Sequence, residues 1–419
     1  IPVSVASDAT TARAEFRNVA GQVRSFGLSP SAARAVFEAH GDISTVPAEH
    51  GSVRNLTDTP GVHEQDPAWS PDGKWVAYLS DRTGEFESYL RPQKGGDEVR
   101  VTSDGDCYRY GLVWSPDSKK IAYWDKKLRL WYVDIEKKQP VQADRADYRQ
   151  GYDLDWSPDS RWIAYSKVRP SRASALYLYS LEQKKVFPLS TGFYNDYNPV
   201  FEPNGKYLYF LSNRFFYPTS DRMDFHFAYF NTTGIFTITL KADEPCPFPP
   251  QSDEEKEAEE KKADAQKSET KPEGGARDSA EKKPEEKKAE VKPLQVDLEG
   301  IARRVAPVPL PAGIYFRLMA RKDKLFFLSA PIEAAQAGMP TPEGQPPQPR
   351  NVLHLYDTKK REDKRLLEGI NSYDLDKEGN KLIYRAGETW GIVEAQPGKK
   401  VGDGRLNTAG LQTRVDPRE

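Results

Sequence analysis

The chain repeats one pattern of apolar and polar positions. An apolar stretch ending in Trp is followed by the turn Ser-Pro-Asp, and a second stretch then ends in Ala-Tyr. The clearest copies lie at residues 69–78, 114–123 and 156–165. Short stretches with alternating apolar residues, separated by turn-forming residues, are typical of paired β-strands. Each copy therefore predicts a β-hairpin.

The copies recur at a regular distance along the chain. The serine position falls at residues 29, 70, 115, 157 and 202, at intervals of 41, 45, 42 and 45 residues. Two fainter copies, near 319 and 376, keep the pattern but not the letters. A period of about 40–45 residues is the signature of a β-propeller with four strands per blade. We predict an all-β protein with a seven-bladed β-propeller over residues 1–404.

The chemistry of the repeated turn supports this fold. In Ser-Pro-Asp-Gly, Pro presets the backbone for the second position of a type I turn, Asp tolerates the third and Gly closes it. The stretch before the turn is then the innermost strand and the stretch after it the second. Segments 86–90 and 98–102 are predicted as the third and fourth strands of blade two. We predict that Trp69, Trp114 and Trp156 pack between blades.

One interval, of about 117 residues, is far longer than the others. Residues 252–292 consist mostly of Glu, Lys, Ala, Asp and Gln, with no aromatic residue. Such a tract cannot bury enough apolar surface to offset the entropy of ordering it. We predict a disordered, charged insert at 245–295, inside blade five between its third and fourth strands. The strand-like segments 236–240 and 296–298 flank it.

Two further segments carry less regular patterns. Residues 334–348 are rich in Pro and Gly and are predicted to be a loop of blade six. Segments 12–19 and 405–415 are both candidate strands for the final blade. We therefore interpret residues 405–419 as a closing strand or a linker to further regions.

The composition narrows the class of protein. The chain has 419 residues, with 61 Lys and Arg against 63 Asp and Glu, so its net charge is near −2. This balance argues against a dedicated nucleic-acid binder, which normally carries a basic excess. No apolar run approaches the roughly 18 residues of a membrane span. Two cysteines, Cys107 and Cys246, provide no disulfide framework.

Motifs for catalysis and cofactor binding are absent from the sequence. There is no Gly-x-Ser-x-Gly, no His-Glu-x-x-His, no phosphate-binding loop and no Cys-x-x-Cys. Gly-x-Gly occurs only at 402–404, without a following glycine. The five histidines lack metal-ligand spacing. We therefore assign no catalytic residue, no metal and no cofactor, although a triad built from remote residues is recognised only by geometry.

The richest polar positions lie just before each predicted inner strand. In a propeller such positions surround one mouth of the central channel, and Tyr, Asp and Arg suit the backbones and termini of peptides. The alternative is that they only form hydrogen bonds between blades. The substrate-channel candidates are Arg24, Glu64, Asp66, Arg109, Tyr110, Tyr152, Asp153, Asp196, Tyr197, Tyr315 and Tyr373.

Several longer segments resemble a known family. Residues 55–64, Asn-Leu-Thr-Asp-Thr-Pro-Gly-Val-His-Glu, together with Pro-Ala-Trp-Ser-Pro-Asp-Gly at 67–73, closely resemble the tricorn protease family. The resemblance covers almost the whole chain, in the region of that family's seven-bladed propeller. Further matching segments lie at 35–39, 211–214, 296–301, 304–305 and 415–419.

The resemblance implies a function without a catalytic centre in this chain. Members of the family are large serine peptidases with two propellers, a PDZ-like domain and two catalytic regions, whose nucleophile follows the propellers. It implies a propeller that admits or gates oligopeptide substrates, further catalytic and PDZ-like domains, and a homo-oligomer. The family is typically cytoplasmic, and a periplasmic location is the alternative if a signal peptide lies upstream.

Two other interpretations compete with this one. The repeat also occurs in the periplasmic propeller of the Tol system, so the chain is alternatively a free-standing protein-interaction module. Some propellers of this repeat type carry lyase or glycosidase sites, but these need clustered His, Arg and carboxylates. The native gene's downstream sequence separates the first two: a catalytic serine region favours the peptidase, and a stop codon the module.

Deleting residues 252–292 is expected to leave thermal stability nearly unchanged, because a tract without aromatic residues contributes little to a packed core. The melting temperatures of the intact and deleted chains, compared by circular dichroism, check this. A large decrease in the deleted chain would show that the insert packs against the propeller.

Overall fold

The chain forms the seven-bladed β-propeller that the repeat predicts. The structure is a computed structural model, and it describes residues 13–148, 151–216, 218–220, 227–229, 231–249, 293–331 and 351–416. Most of the predicted insert and the predicted loop at 334–348 lie outside the described residues. Among those that are described, no helix has the length and apolar character needed to cross a bilayer.

The first four blades are four-stranded antiparallel sheets whose strands follow one another along the chain. Blade one comprises β2 (Val23–Leu28), β3 (Arg34–Ala39), β4 (Asp42–Pro47) and β5 (Arg54–Asn55). Blade two comprises β6 (Glu64–Trp69), β7 (Trp75–Ser80), β8 (Glu87–Pro92) and β9 (Val99–Arg100). Blade three comprises β10 (Arg109–Trp114), β11 (Lys120–Asp125), β12 (Arg129–Asp134) and β13 (Pro140–Arg145). Blade four comprises β14 (Leu154–Trp156), β15 (Trp162–Val168), β16 (Ser174–Ser180) and β17 (Lys185–Pro188).

The last three blades depart from this regularity. Blade five comprises β18 (Asp196–Phe201), β19 (Tyr207–Ser212), β22 (Gly234–Thr239) and β23 (Val305–Pro307), and β20 (Pro218–Ser220) and β21 (Phe227–Tyr229) form a separate hairpin. Blade six comprises β24 (Tyr315–Arg321), β25 (Lys324–Ser329), β26 (Asn351–Asp357) and β27 (Glu362–Ile370). Blade seven comprises β28 (Ser372–Leu375), β29 (Lys381–Ala386) and β30 (Thr389–Glu394). Two short 3₁₀ segments lie at Ala20–Gln22 and Ile301–Arg303.

The insert falls where it was predicted, between the third and fourth strands of blade five. The identity of the fourth strand was wrong, because β23 lies at Val305–Pro307 and not at 296–298. Val296 packs beside the core of blades four and five instead. The hairpin β20–β21, between the second and third strands, was not predicted. It lies in the same long interval as the insert, and the prediction attributed the excess length of that interval to residues 252–292 alone.

The Ser-Pro-Asp turn is stabilised by its own side chains. In blade two, the amide of Gly73 donates to the Ser70 carbonyl (2.8 Å) and closes the predicted turn. The Ser70 hydroxyl donates to Asp72 (2.6 Å) and accepts from the amide of Trp75 (3.0 Å). Both side chains therefore satisfy backbone and side-chain groups that a two-strand connection would otherwise leave open.

Blades pack face to face through a repeated Ala-Tyr pair in the second strand. Ala77, Ala122 and Ala164 are fully buried, as are the tyrosines that follow them. The small alanine side chain lets neighbouring sheets approach, and the tyrosine ring fills the space beside it. The three predicted core tryptophans are 8, 7 and 2% exposed at Trp69, Trp114 and Trp156.

The segment around 404–406 occupies the position of a fourth strand in blade seven. The amide of Ile392 donates to the Gly404 carbonyl (2.9 Å), and the amide of Leu406 donates to the Trp390 carbonyl (2.9 Å). Gly404 has φ of 57°, and a Cβ there would lie 1.9 Å from the Ile392 carbonyl oxygen. Only glycine fits this approach, which explains the second glycine of the Gly-x-Gly at 402–404.

The two ends of the described chain pair with each other, and do not contribute strands to one common blade. Strand β1 (Glu15–Asn18) pairs with β31 (Gln412–Val415) in a separate two-stranded sheet. The Thr413 hydroxyl hydrogen-bonds to Asp42 of blade one, and Leu411 packs in a core that includes residues of blades one and seven. Both candidate closing segments thus pair with each other beside the first and last blades.

Replacing Trp114 with Ala is expected to lower the free energy of unfolding by about 3–5 kcal/mol, because it removes a buried ring and leaves a cavity. The indole N–H also donates to the Ala68 carbonyl of the neighbouring blade (3.1 Å). Urea unfolding followed by circular dichroism measures the effect. Trp114→Phe is the control: it keeps an aromatic ring, loses the hydrogen bond and should cost clearly less. A cost below about 1 kcal/mol for Trp114→Ala would contradict the core role.

Candidate functional site

The inner strands line the central channel, and four of them carry a bulge at the same position. The pairing register with the second strand shifts between residues 65 and 68, 110 and 113, 197 and 200, and 316 and 319. One residue inside each bulge has a positive φ: Asp66, Gly111, Asn198 and Arg317. Each lies three positions before the residue that precedes the turn, namely Trp69, Trp114, Phe201 and Ala320. Asp, Asn and Gly tolerate this conformation better than other residues.

Asp66, Asn198 and the residue at the equivalent position of blade four, Asp153, bind the backbone of the next blade. The Asp66 carboxylate accepts from the amide of Gly111 (2.8 Å), and Asp153 accepts from the amide of Asn198 (3.3 Å). The Asn198 side chain both accepts from the amide of Leu318 (2.8 Å) and donates to its carbonyl (3.2 Å). Asp66 and Asp153 therefore connect blades two to three and four to five.

A second set of contacts joins the ends of the inner strands. Asp155 accepts from the amide of Phe201 (2.7 Å), and Asp374 accepts from the amide of Leu28 (2.9 Å). The second contact joins blade seven to blade one across the closure of the ring. These carboxylates were not among the predicted site residues, although each is the next-to-last residue of its strand.

At the mouth where the inner strands begin, two predicted residues form ion pairs inside their blades. Glu64 is fully buried and binds Arg82 (2.9 Å), and Asp196 is 1% exposed and binds Arg214 (3.0 Å). Both arginines belong to the repeated segment Leu-Ser-Asp/Asn-Arg at 79–82 and 211–214. Burial raises the pKa of Glu64, while Thr59 and Arg82 favour its charged form.

Arg109 is also buried, but it connects two blades. Its guanidinium binds Glu87 of blade two (2.8 Å) and Asp104 (2.8 Å), and it lies 5.1 Å from the centre of the Tyr123 ring. At 4% exposure, Arg109 has its charge directed into this network and not into the channel.

The other predicted residues divide into a buried group and an accessible group. Tyr152, Tyr315 and Tyr373 are buried, and their hydroxyls donate to the carbonyls of Leu128, Pro311 and Arg317 (2.8, 2.8 and 2.6 Å). The remaining candidates keep accessible surface: Arg24 and Asp153 are exposed, and Asp66, Tyr110 and Tyr197 are half-buried. The second group is thus the part of the predicted ring that solvent reaches.

A cavity lies at the opposite mouth, where the inner strands end in the repeated turns. We call this end the Ser-Pro mouth. The cavity has a volume of about 800 Å³ and is lined by residues of all seven blades. Its apolar wall consists of Trp69, Trp114, Trp156, Phe201 and Leu28, with Pro30, Pro71, Pro116, Pro158 and Pro203 at the rim. The tryptophans therefore pack between blades and also line the cavity.

The charged residues of this cavity are unevenly placed. Arg317, Arg321 and Lys377 lie on blades six and seven, whereas Asp155 lies on blade four and Asp374 on blade seven. Sequence reasoning missed all five. A signal existed for two of them, because Arg321 and Lys377 occupy the serine and proline positions of the two degenerate repeat copies.

Asp155 is the residue of this cavity whose titration is most altered. Burial raises its pKa from the ordinary 3.8 to about 6, although the amide of Phe201 and the charge of Arg321 favour the ionised form. At neutral pH the carboxylate is therefore ionised at a cost in folding free energy.

A serine, a histidine and an aspartate also meet in blade six. The Ser329 hydroxyl lies 2.9 Å from Nε2 of His354, and Nδ1 of His354 lies 2.9 Å from Asp363. Ser80 and Ser212 end their second strands in the same way and bind the acid that begins the inner strand. Blade six begins with a tyrosine at that position, so Ser329 binds His354 instead. The arrangement matches a repeated structural contact, and we assign it no catalysis.

One further cluster has the composition of a metal site. Asp106, Cys107 and Asp125 lie close together in blade three. Asp106 binds Lys127 (2.7 Å) and Asp125 binds Arg129 (2.6 Å), and Arg129 also pairs with Asp106. These cations bind the carboxylate oxygens that a metal ion would need. They also lower the pKa of Asp106.

Comparison with known proteins now identifies the architecture. The family model described as the tricorn protease second β-propeller domain matches residues 23–396. The chain belongs to the tricorn protease family. Tricorn protease homolog 1 of Streptomyces coelicolor is 27% identical over 349 residues, which are 82% of this chain and 31% of the homolog. The tricorn protease homolog of Saccharolobus solfataricus is 24% identical over 69% of this chain and 23% of its own length.

Solved structures agree on the fold. The crystal structure of the tricorn protease superposes with a TM-score of 0.74 at 16% identity, over 99% of this chain and 36% of that one. An acylaminoacyl peptidase of Pyrococcus horikoshii superposes with a TM-score of 0.52 at 11% identity, over 90% of this chain and 51% of that one. The chain thus spans between about a quarter and a third of the length of these tricorn proteins.

Asp155→Asn is expected to change how stability depends on pH. Because the folded-state pKa lies above the ordinary value, folding favours the protonated acid. The free energy of unfolding of the unmodified chain should fall relative to the variant as pH rises from about 4 to 6, and stay lower above that. The pKa displacement corresponds to at most about 3 kcal/mol.

Urea unfolding of both proteins at several pH values between 4 and 8 measures this difference. Asn retains an oxygen that can accept from the Phe201 amide, so the hydrogen bond to blade five is preserved in the variant. A stability difference that stays constant across this pH range would contradict the assignment.

Proposed function

We propose that the chain is a non-catalytic propeller of a tricorn-like serine peptidase, which binds oligopeptides in its central channel on their way to an active site elsewhere in the parent protein. The observation that carries the proposal is the cavity at the Ser-Pro mouth. It is concave, about 800 Å³ in volume, and combines an aromatic wall with a few charged groups. Cavities of this size and lining are typical of sites for small ligands and short peptides.

The length of the relatives supports the inference that the chain is part of a larger protein. The chain covers 31% of the Streptomyces coelicolor homolog, so we infer further domains in the full protein, including the catalytic and PDZ-like domains and a homo-oligomeric assembly. Under this proposal the protein is a hydrolase involved in proteolysis, in the cytoplasm or, with a signal peptide, in the periplasm. The free-standing interaction module remains the alternative.

The residues proposed to contact peptides near the other mouth are the accessible ones of the predicted ring. Arg24, Asp66, Tyr110, Asp153 and Tyr197 keep surface that a passing chain could touch. Asp66 and Asp153 use their carboxylates to connect blades. Their contribution to peptide contact is therefore limited to oxygens that the neighbouring amides leave free.

Peptide binding is tested by fluorescence anisotropy with labelled, unstructured peptides of several lengths. We expect saturable binding to the purified chain. Pro116→Trp places a large side chain at the rim of the cavity, where Pro116 is exposed, and should weaken binding by about tenfold or more. Lys137→Trp is the matched control, since Lys137 is exposed on the same blade outside the cavity lining.

Thermal unfolding of both variants shows that they remain folded. Absence of saturable binding to the intact chain would overturn the proposal. Equal binding by Pro116→Trp and Lys137→Trp would remove the cavity as its location.

A further inference from the structure

The charged groups of the cavity at the Ser-Pro mouth differ in what they bind. Asp155 and Asp374 each accept a backbone amide of the neighbouring blade, at 2.7 and 2.9 Å. Arg317, Arg321 and Lys377 form no ion pair with a carboxylate anywhere in the described part of the chain. The two acids are thus tied to the scaffold, while the three cations lack a direct counter-ion.

The two arginines are held in place by carbonyl groups. Arg321 donates to the carbonyls of Asp376 (3.0 Å) and Ala320 (2.9 Å), and more weakly to that of Leu375 (3.5 Å). Arg317 donates to the carbonyl of Tyr373 (3.3 Å), whose hydroxyl donates back to the Arg317 carbonyl (2.6 Å). A guanidinium has five N–H donors, so both side chains are oriented and still have donors for a ligand.

The opposite wall of the same cavity is apolar. Trp69, Trp114 and Trp156 lie on blades two to four, and blades one and five add Leu28 and Phe201. A ligand that satisfies both walls needs a negative charge close to an apolar group. Arginine is suited to carboxylates because its planar N–H pairs match the two carboxylate oxygens.

We propose that this cavity binds the free C-terminal carboxylate of an oligopeptide at Arg317, Arg321 and Lys377, with the neighbouring apolar side chains against the tryptophan wall. This inference rests on the proposed peptide-binding function and names its preferred ligand. A volume of about 800 Å³ holds the last few residues of a peptide, not a folded domain. The aromatic wall argues for an apolar C-terminal residue over a simple inorganic anion.

The experiment compares two N-terminally labelled peptides, Ala-Ala-Ala-Phe as the free acid and as the C-terminal amide. We expect the free acid to bind the intact chain about tenfold more tightly or better, with a preference that weakens as salt is added. Lys377→Glu reverses one charge at an exposed position and should remove most of the preference. Arg321→Gln should reduce it as well.

Lys137→Glu is the matched control, because it makes the same charge change on an exposed side chain outside the cavity. It should keep the preference for the free acid. If Arg321→Gln disturbs the turn, because Arg321 also binds carbonyl groups there, Lys377→Glu still tests the carboxylate site. Inorganic phosphate at millimolar concentration should compete only weakly.

The outcomes separate this inference from the function on which it rests. Equal binding of acid and amide, or an unchanged preference in Lys377→Glu, overturns the carboxylate site and leaves peptide binding standing. No binding of either peptide overturns both. Strong competition by phosphate would show a general anion site and would also overturn the peptide assignment.

Discussion

The propeller depends on the contact between the inner strands of neighbouring blades. Each blade is a twisted sheet that buries both faces, so its inner strand has few polar partners other than the next blade. Asp66, Asp153, Asp155 and Asp374 each accept an amide of the following blade. The Trp114 and Trp156 indoles donate to the blade before them. Because these bonds run between blades, no blade is satisfied alone, and the ring must close.

This constraint decides which polar residues remain for a ligand. A carboxylate that accepts a backbone amide at 2.7 Å holds two blades together, and fewer of its lone pairs are left for a ligand. The same holds for Glu64, Arg109 and Asp196, whose ion pairs lie inside the blades. At the Ser-Pro mouth, the cationic side chains without an ion pair among the described residues lie on blades six and seven, at Arg317, Arg321 and Lys377.

The sequence predicts the fold well because one pattern recurs seven times, so the faint copies are recognised by their distance from the clear ones. Seven copies, the turn chemistry and the buried tryptophans follow from spacing and residue type alone. The position of the insert follows from the interruption of that spacing. The fourth strand of blade five was misplaced, since the apolar pattern at 296–298 reflects Val296 packing against a core and not strand pairing.

The site was predicted less well for a geometric reason. In a regular strand, alternate residues face the channel, but the bulges at Asp66, Gly111, Asn198 and Arg317 add a residue and reverse that alternation. Counting back from the tryptophan therefore selected several side chains that point into the blade. Tyr315 precedes the bulge of its strand, whereas the inner strands of Tyr152 and Tyr373 pair without a register shift. All three are buried with their hydroxyls on nearby carbonyls. No pattern in a single sequence marks these bulges in advance.

Loss of the repeat motif in blades six and seven gives the channel its asymmetry. Blades one to five place proline at the rim, at Pro30, Pro71, Pro116, Pro158 and Pro203. Blade seven has Lys377 at the proline position, where its backbone amide, which a proline would lack, donates to the Pro30 carbonyl (3.2 Å). Blade six has Arg321 at the serine position, and Asp376 takes over the serine's role in blade seven by accepting the amide of Asn380 (2.8 Å). The turn of blade seven keeps the length of the repeated turn, with Lys377 in place of proline, whereas the turn of blade six is two residues shorter and has Arg321 in place of serine. A ring of nearly equivalent blades thereby acquires one charged sector, which a symmetric repeat could not provide.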